Sequence, residues 1–499
     1  MPLNAISFAG PGFSGMAQQY KQSPMGPEWA VHATNLVVDS AGRLSSRKGW
    51  DNLNATPAAA IVQVHEHLTA TGAATIYTAT ANKIYSGTST LTDRTNGLTW
   101  TAGNWDFVNF NGYCLGWQAS HTAIQATGTT FTAITAATGT LPTGNHACAA
   151  FGRVWASYSD GQTIGYSKLL DHTKWATADG GGTIDMRNLW TRGMDEIQGI
   201  VAYGSSLAVF GKRHIIIWVD GSGSELGLSP TNMYVQTVIE DIGLVARDAM
   251  CQVGELDVVF WSHNGIRSLS RTMQEQAAPA RELSVQNRDF IASYLATGTL
   301  TKIRAVYAAT DGIVLFTHPD ASKTFCFDIR APLEGGGYRM TEWTLCPAAW
   351  CARTNNTLLL GTTAGYLGLY GGFTDNGAAY QFNYESGWIR VASDSRRHSL
   401  KALKAYLYAV GTNTVIFKWW VDFKVAFGHL NRIITGGADE WGIDEWGAMQ
   451  WGLGQYFQDK RIPLSKEAEY CKIAIITSIN GTAFAVQPLT LYTEPTRLA

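Results

Sequence analysis

CQVGELDVVFWSHNGIRSLS, from Cys251 to Ser270, breaks into short apolar runs separated by tight turns at Gly254 and at Asn264-Gly265. Runs of this length, rich in Val, Phe and Trp and bounded by Gly and Asn, read as strands joined by hairpins. The same unit recurs along the chain. It begins near Ile61, Trp105, Ala147, Gly199, Cys251, Ile303 and Trp350, at spacings of 44, 42, 52, 52, 52 and 47 residues. Four short strands and their turns fill about that length, the size of a propeller blade. The first run of each pair is rich in Ala and Val, which suits crowded strands around an axis, and the second carries larger side chains. Asn111-Gly112 and Asp311-Gly312 supply the positive φ of further hairpin turns. One such sheet cannot bury both its faces, but a ring of seven can.

The expected fold is all-β. A β-propeller, seven-bladed, spans 55–385, with an extended N-terminal arm over 1–54 and a C-terminal β-sandwich over 386–499. A six-bladed ring or a sandwich of similar strands is the structural rival. Two further runs, Leu400 to Phe423 and Cys471 to Pro495, alternate like paired strands around Gly411-Thr412-Asn413 and Asn480-Gly481, and they suggest the sandwich. The best helical pattern is Ser284 to Ala296, with Ser284 as a possible cap.

Between those hairpins, at about 430–460, lies DEWGIDEWGAMQWGLG, Asp439 to Gly454. Trp441, Trp446 and Trp451 recur every five residues, each followed by Gly. A step of five shares no face on a helix and alternates faces on a strand. The stretch reads as a loop of turns carrying indole knobs on an acidic stem. Large apolar side chains on a loop need cover. The indoles either fold back on their own domain or pack on a neighbouring subunit.

Charge excludes several classes. The chain has 37 basic and 39 acidic residues in 499, a net of -2, and charged residues make up only 15%. That argues against a basic nucleic-acid binder and against a disordered chain. No apolar run approaches the ~20 residues of a membrane span, so no membrane insertion is expected, and no secretory signal is read at the start. Seven cysteines without metal-type spacing sit mostly in apolar runs and read as buried free thiols, consistent with synthesis in a reducing cytoplasm.

Catalytic and metal signals are weak. Asp160-Gly161 reads as a hairpin turn rather than a sialidase-like motif. His65 and His67 share a strand face but lack a third ligand. Asp439, Glu440, Asp444 and Glu445 lack calcium-loop spacing. Asp179 to Thr183 (DGGGT) has no Lys and no following helix for a phosphate cradle. Arg396, Arg397, His398, Lys401 and Lys404 form a basic cluster without interleaved aromatics, which favours a subunit contact or a solvated patch over nucleic acid. Asp257 stands in a strand with no evident carboxylate partner. The expectation is no enzyme, no cofactor and no metal.

Ser14 to Trp50 resembles the opening of the tail nozzle proteins of short-tailed bacteriophages, also called tail tubular protein B or packaged-DNA stabilisation proteins. Gln18-Gln19, Asn35, Gly42-Arg43-Leu44 and Arg47-Lys48-Gly49 stand in the places of that pattern, with Lys48 where proline is usual. Ile164 to Trp175, Ser206 to Trp218 and Ile242 to Ser270 are similar to blade segments of the same family. The resemblance implies a structural virion protein made in the bacterial host cytoplasm. Such proteins form a six-fold ring below the portal-adaptor ring, retain the genome, let double-stranded DNA pass without specific binding during ejection, and in some cases anchor tail fibres. A nearly neutral wall fits that role, because a basic one would grip phosphates. The rival reading is a propeller that binds or degrades glycans, which would need a tuned carboxylate pair; a cellular propeller scaffold that binds peptides is a second. The arm is expected to lie on a neighbour or on its own propeller, and the assembly interface is expected at Trp441, Trp446, Trp451, Gln18, Gln19 and Arg47. Replacing the three tryptophans with Ser should leave the monomer folded yet impair assembly; normal infectious particles carrying the triple variant would refute this.

Overall fold

The recurring unit is an antiparallel meander. The computed structural model describes residues 3–8, 13–20, 25–39, 42–100, 103–127, 130–221, 228–254, 257–274, 282–330, 332–333, 336–391, 397–435, 457–487 and 489–496. Within them the chain is all-β with a β-propeller arrangement and two short α-helices. Six small sheets stand separate among the described residues. The first runs Ile61–Leu68, Ala74–Thr80, Ile84–Ser86 and Thr92–Asp93. The next three sheets follow with strands between residues 106 and 240. The unit quoted at the outset forms a three-stranded sheet, Met250–Val253, Asp257–Ser262 and Gly265–Ser268.

The core lies between consecutive sheets rather than inside any one of them. Tyr77 of the first sheet and Phe107, Ile124 and Phe131 of the second share one apolar cluster. Ile61, Val64 and Ile76 meet Leu359 and Leu367 of the last sheet, so the ring closes on itself. Each such aliphatic side chain contributes roughly 1.5–3 kcal/mol on burial. The innermost strands approach so closely that a Cβ at Gly199 would stand 2.8 Å from Met250 Cε. Asn111 and Gly112 both take positive φ, 48° and 79°, as a tight hairpin between right-twisted strands requires.

The chain start differs from the expected arm. Trp50–Asn52 pairs with Leu367–Tyr370 and supplies the outer strand of the last small sheet. Asn4–Phe8 pairs with Leu489–Pro495. Trp29–Thr34 pairs with Tyr380–Ser386, and Leu36–Val38 with Leu44–Ser46. The reason is apolar content: Phe8, Phe13, Met16, Ala30, Leu36 and Val38 are buried in the core of the C-terminal sheets of the same chain, not laid on the propeller's surface.

Two sheets built from the C-terminal strands share that core. One has seven strands centred on His398–Ala409, which pairs with Phe457–Ala468 on one side and with Phe484–Val486 and Leu489–Pro495 on the other. The second sheet has eleven strands. It starts in the meander Arg304–Ala308, Ile313–His318, Lys323–Asp328 and Arg339–Trp343. It then passes through Trp29–Thr34 into Tyr380–Ser386, Tyr470–Ile479, Asn413–Val421 and Phe427–Ile434. The expected helix forms as Arg288–Leu295, later than Ser284, because the Ser284 hydroxyl instead accepts the Ile266 N–H at 3.1 Å.

Strand pairing between the meander and Trp29–Thr34 is a single residue pair, Glu342 with Thr34. Polar side chains carry the rest of that joint. Asn35, in the left-handed region at φ 58°, accepts the Thr344 N–H at 2.8 Å and the Arg47 Nε–H at 2.9 Å, and donates to the Gln381 carbonyl at 2.8 Å. Arg47 is fully buried and forms a two-pronged ion pair with Asp375, at 2.8 and 2.6 Å. Its guanidinium lies 4.0 Å from the Tyr380 ring centroid, and the Tyr380 hydroxyl donates to the Arg47 carbonyl. Removing one partner of a buried pair leaves an uncompensated charge at a cost of about 3–5 kcal/mol. Asp375→Ala should therefore lower stability by about 3 kcal/mol, read as a shift of the urea midpoint; a change under about 1 kcal/mol would show that solvent takes over the role of Asp375.

Candidate functional site

The inner strands leave a cavity of about 230 Å³, bordered by residues from Gln63 in the first unit to Trp350 in the last. Its wall is strongly polar on one side. Arg247 donates to the adjacent Asp248 carboxylate at 2.7 and 2.8 Å, to the Trp105 carbonyl at 2.7 Å and to the Asn145 carbonyl at 3.0 Å. Arg304 also reaches Asp248, at 3.0 Å, and donates to the Thr301 carbonyl at 2.8 Å. Asp106 accepts the Ala147 N–H at 2.8 Å. His146 is buried, and its Nδ1 has no hydrogen-bond partner within the described residues. A second cavity, about 480 Å³, shares His146 and Arg247 with the first.

The local electrostatics follow from burial. Burial works to raise the Asp248 carboxyl, but Arg247 and Arg304 outweigh it and hold Asp248 below the usual carboxylate range. Asp106 lacks such cover. Burial pushes it up to about 6, with Arg247 opposing and Asp248 adding to the rise. Burial, reinforced by Arg247, holds the His146 imidazole down to about 3. At neutral pH the cluster thus carries two guanidinium charges against two carboxylates, beside a neutral imidazole.

Sequence reading found none of these five residues. They lie at or just before the first strands of four different units. One signal was available: Asp106 breaks the apolar opening of its unit, and Arg247-Asp248 and Arg304 flank the openings of two others.

The residues expected at an assembly interface fall elsewhere. Trp441, Trp446 and Trp451, with Asp439, Glu440, Asp444 and Glu445, lie outside the described residues. Gln18 and Arg47 are buried within the chain, which corrects their expected place at a subunit surface. The Gln18 N–H donates to Asn287 Oδ1 at 2.9 Å and its side chain donates to the Val31 carbonyl, because the apolar stretch around it is packed into the sheets. Gln19 is exposed and donates to Asp289 at 2.9 Å.

The other candidates serve local structure. His65 and His67 do share a face, and both reach Asn109 Oδ1, at 3.1 and 2.9 Å. Asp160 accepts the Gln162 and Thr163 N–H groups in its turn, and Asp257 accepts from the Ser268 hydroxyl at 2.7 Å. Asp179 ends a short turn of 3₁₀ helix. Arg397 pairs with Asp422, Lys401 with Glu494 and Lys404 with Asp459, and His398 meets the Thr493 hydroxyl. The seven thiols are all free, and burial pushes Cys148, Cys351 and Cys471 up to about 12.

No protein-family model matches the sequence, and no curated protein does. Similar solved structures include BamB from Moraxella catarrhalis, at 12% identity and a TM-score of 0.36, covering 74% of this chain and 97% of that one. The computationally designed Ika8 protein matches at 12% identity and a TM-score of 0.36, over 64% of this chain and 99% of its own. PorZ, a surface component of the type-IX secretion system of Porphyromonas gingivalis, matches at 11% identity and a TM-score of 0.36, over 70% of this chain and 44% of PorZ.

Asp106 gives the cluster a testable pH signature. An aspartate raised in the fold from 3.8 to about 6 favours folding while protonated. That contribution is full below about pH 4 and is lost as pH rises through 6. The depressed His146 acts in the opposite sense, its contribution present above about 6.5 and lost as pH falls toward 3. Asp106→Asn keeps an acceptor for Ala147 and removes the charge. It should match the parent in urea at pH 4 and exceed it by up to about 3 kcal/mol at pH 7.5; equal stability at both values would refute the burial account.

Proposed function

We propose that the chain is a structural subunit of the tail nozzle of a short-tailed phage, joining copies of itself in a six-fold ring that extends the portal-adaptor channel for genome retention and ejection. The observation that carries the assembly is a sheet edge with exposed apolar side chains and no strand on its outer side among the described residues. Phe427–Ile434 is the last strand of the eleven-stranded sheet, paired on one side with Asn413–Val421. Phe427 and Ile433 on it are exposed, as are Phe423 and Val425 in the turn before it, Val425 at 92%. An edge with free backbone groups and apolar side chains is a template for another chain.

Other features support the same reading. The residues that carry the family resemblance, Asn35 and Arg47, hold the propeller to the C-terminal sheets, and a tube wall needs such stiffness. Three of the basic side chains near His398 are already paired within the chain, which leaves little free positive charge there to grip passing DNA. On this reading the meander 304–343 is the seventh blade: its first strand packs against both Met250–Val253 and Ala349–Ala352, the inner strands before and after it. The two sheets around the common C-terminal core are read as a β-sandwich. The portal-adaptor ring, and in some particles tail fibres, are the further partners.

Electron microscopy of the purified chain mixed with its adaptor should show a six-fold ring with a central hole. Phe427→Asp with Ile433→Asp should abolish that ring and leave a folded monomer. A parent chain that stays monomeric at every concentration beside its adaptor, or that turns over a glycan, would overturn the proposal.

A further inference from the structure

We propose that the axial cavity is a binding site for one small oxyanion, held against Arg304 and Arg247. Three observations point the same way. The space, about 230 Å³, exceeds what one or two waters fill, because the inner strands present Ala147 and Gly199 there. Arg247, Arg304 and Asp248 together carry one net positive charge, and all three border the cavity. Donor capacity is also left over: the Arg304 Nε–H is buried and has no partner among the described residues. Buried polar groups in folded proteins are nearly always satisfied, so an unspent donor beside a cavity marks a missing acceptor. An oxyanion is an acceptor with several lone pairs, and planar guanidinium groups match it in geometry. A cation is disfavoured by the two arginines, and among the described residues no three His, Cys, Asp or Glu side chains gather to hold a metal.

Asp106 sets when the site is open. Facing it are Arg247 and Asp248, and the Cys148 thiol lies on the neighbouring strand, with Arg304 and His146 completing the ionisable wall. Ionised, Asp106 is itself the counter-charge to the arginines and repels an incoming anion. Protonated, it leaves the positive charge uncompensated and offers an O–H. Anion entry is therefore coupled to uptake of one proton. His146 and Arg247 also border the larger cavity. Phosphate, sulfate and small carboxylates share the necessary chemistry, and size separates them.

Isothermal titration with inorganic phosphate, sulfate or acetate, at ionic strength held constant with chloride, tests the proposal. At pH 5 one of the three should bind saturably with a stoichiometry of one per chain. Its affinity should fall about tenfold for each pH unit above 6, as obligatory uptake of one proton requires. With affinities expressed per unit of each anion's binding ionic form, Asp106→Asn should bind equally well at pH 5 and pH 7.5, and Arg304→Gln, checked for folding by circular dichroism, should lose binding. No saturable binding at pH 5 would overturn the proposal and identify the occupant as water, and so would an unchanged pH dependence in Asp106→Asn. Ring formation is read separately, so failure here leaves the assembly proposal standing.

Discussion

A guanidinium with no access to water is the constraint around which this molecule is arranged. Arg47 brings a full charge into the seam between the propeller and the C-terminal sheets, and the fold must satisfy it there. Asp375 supplies the opposite charge, Asn35 a neutral acceptor, and the Tyr380 ring a face. Those three come from positions before and after the propeller. Only a chain whose two ends have met can complete the arrangement, so the seam specifies the topology as well as stabilising it. Asn35 has a second task. Its left-handed backbone turns the chain between Trp29–Thr34 and Leu36–Val38, strands that belong to different sheets.

The propeller itself rests on a different principle. Its sheets are small and cannot bury both faces, so the apolar energy lies in the wedges between them. Neighbouring wedges are filled by different residues: aromatic rings between the first and second sheets, aliphatic chains between the last and the first. Filling every wedge with large side chains pushes volume outward. The inner ends of the strands are left with small residues and charge, and there the Arg247–Asp248–Arg304 cluster lies.

The repeat was legible because it is local. Tight turns at Asn111-Gly112 and Asn264-Gly265, flanked by apolar runs, announce hairpins from a dozen residues of sequence. The chain start was not legible, because what makes Trp29–Thr34 or Asn4–Phe8 a strand is a partner hundreds of residues away; seen alone, Gly, Pro and polar residues between them look like a tail. Gln18 and Arg47 were expected at a subunit surface, yet both side chains are buried within the chain. Burial of an arginine cannot be read without its counter-ion, and Asp375 lies 328 residues from Arg47. The axial cluster escaped for a similar reason, since its members converge only once the ring is closed.

The strand Trp50–Asn52 closes the final sheet with residues made long before the rest of that sheet exists. During synthesis that strand therefore waits for its partner until some three hundred more residues have been made. A chain built this way gathers slowly, through contacts of great sequence separation. In return the last small sheet is complete only when an early and a late part of the chain are both in place.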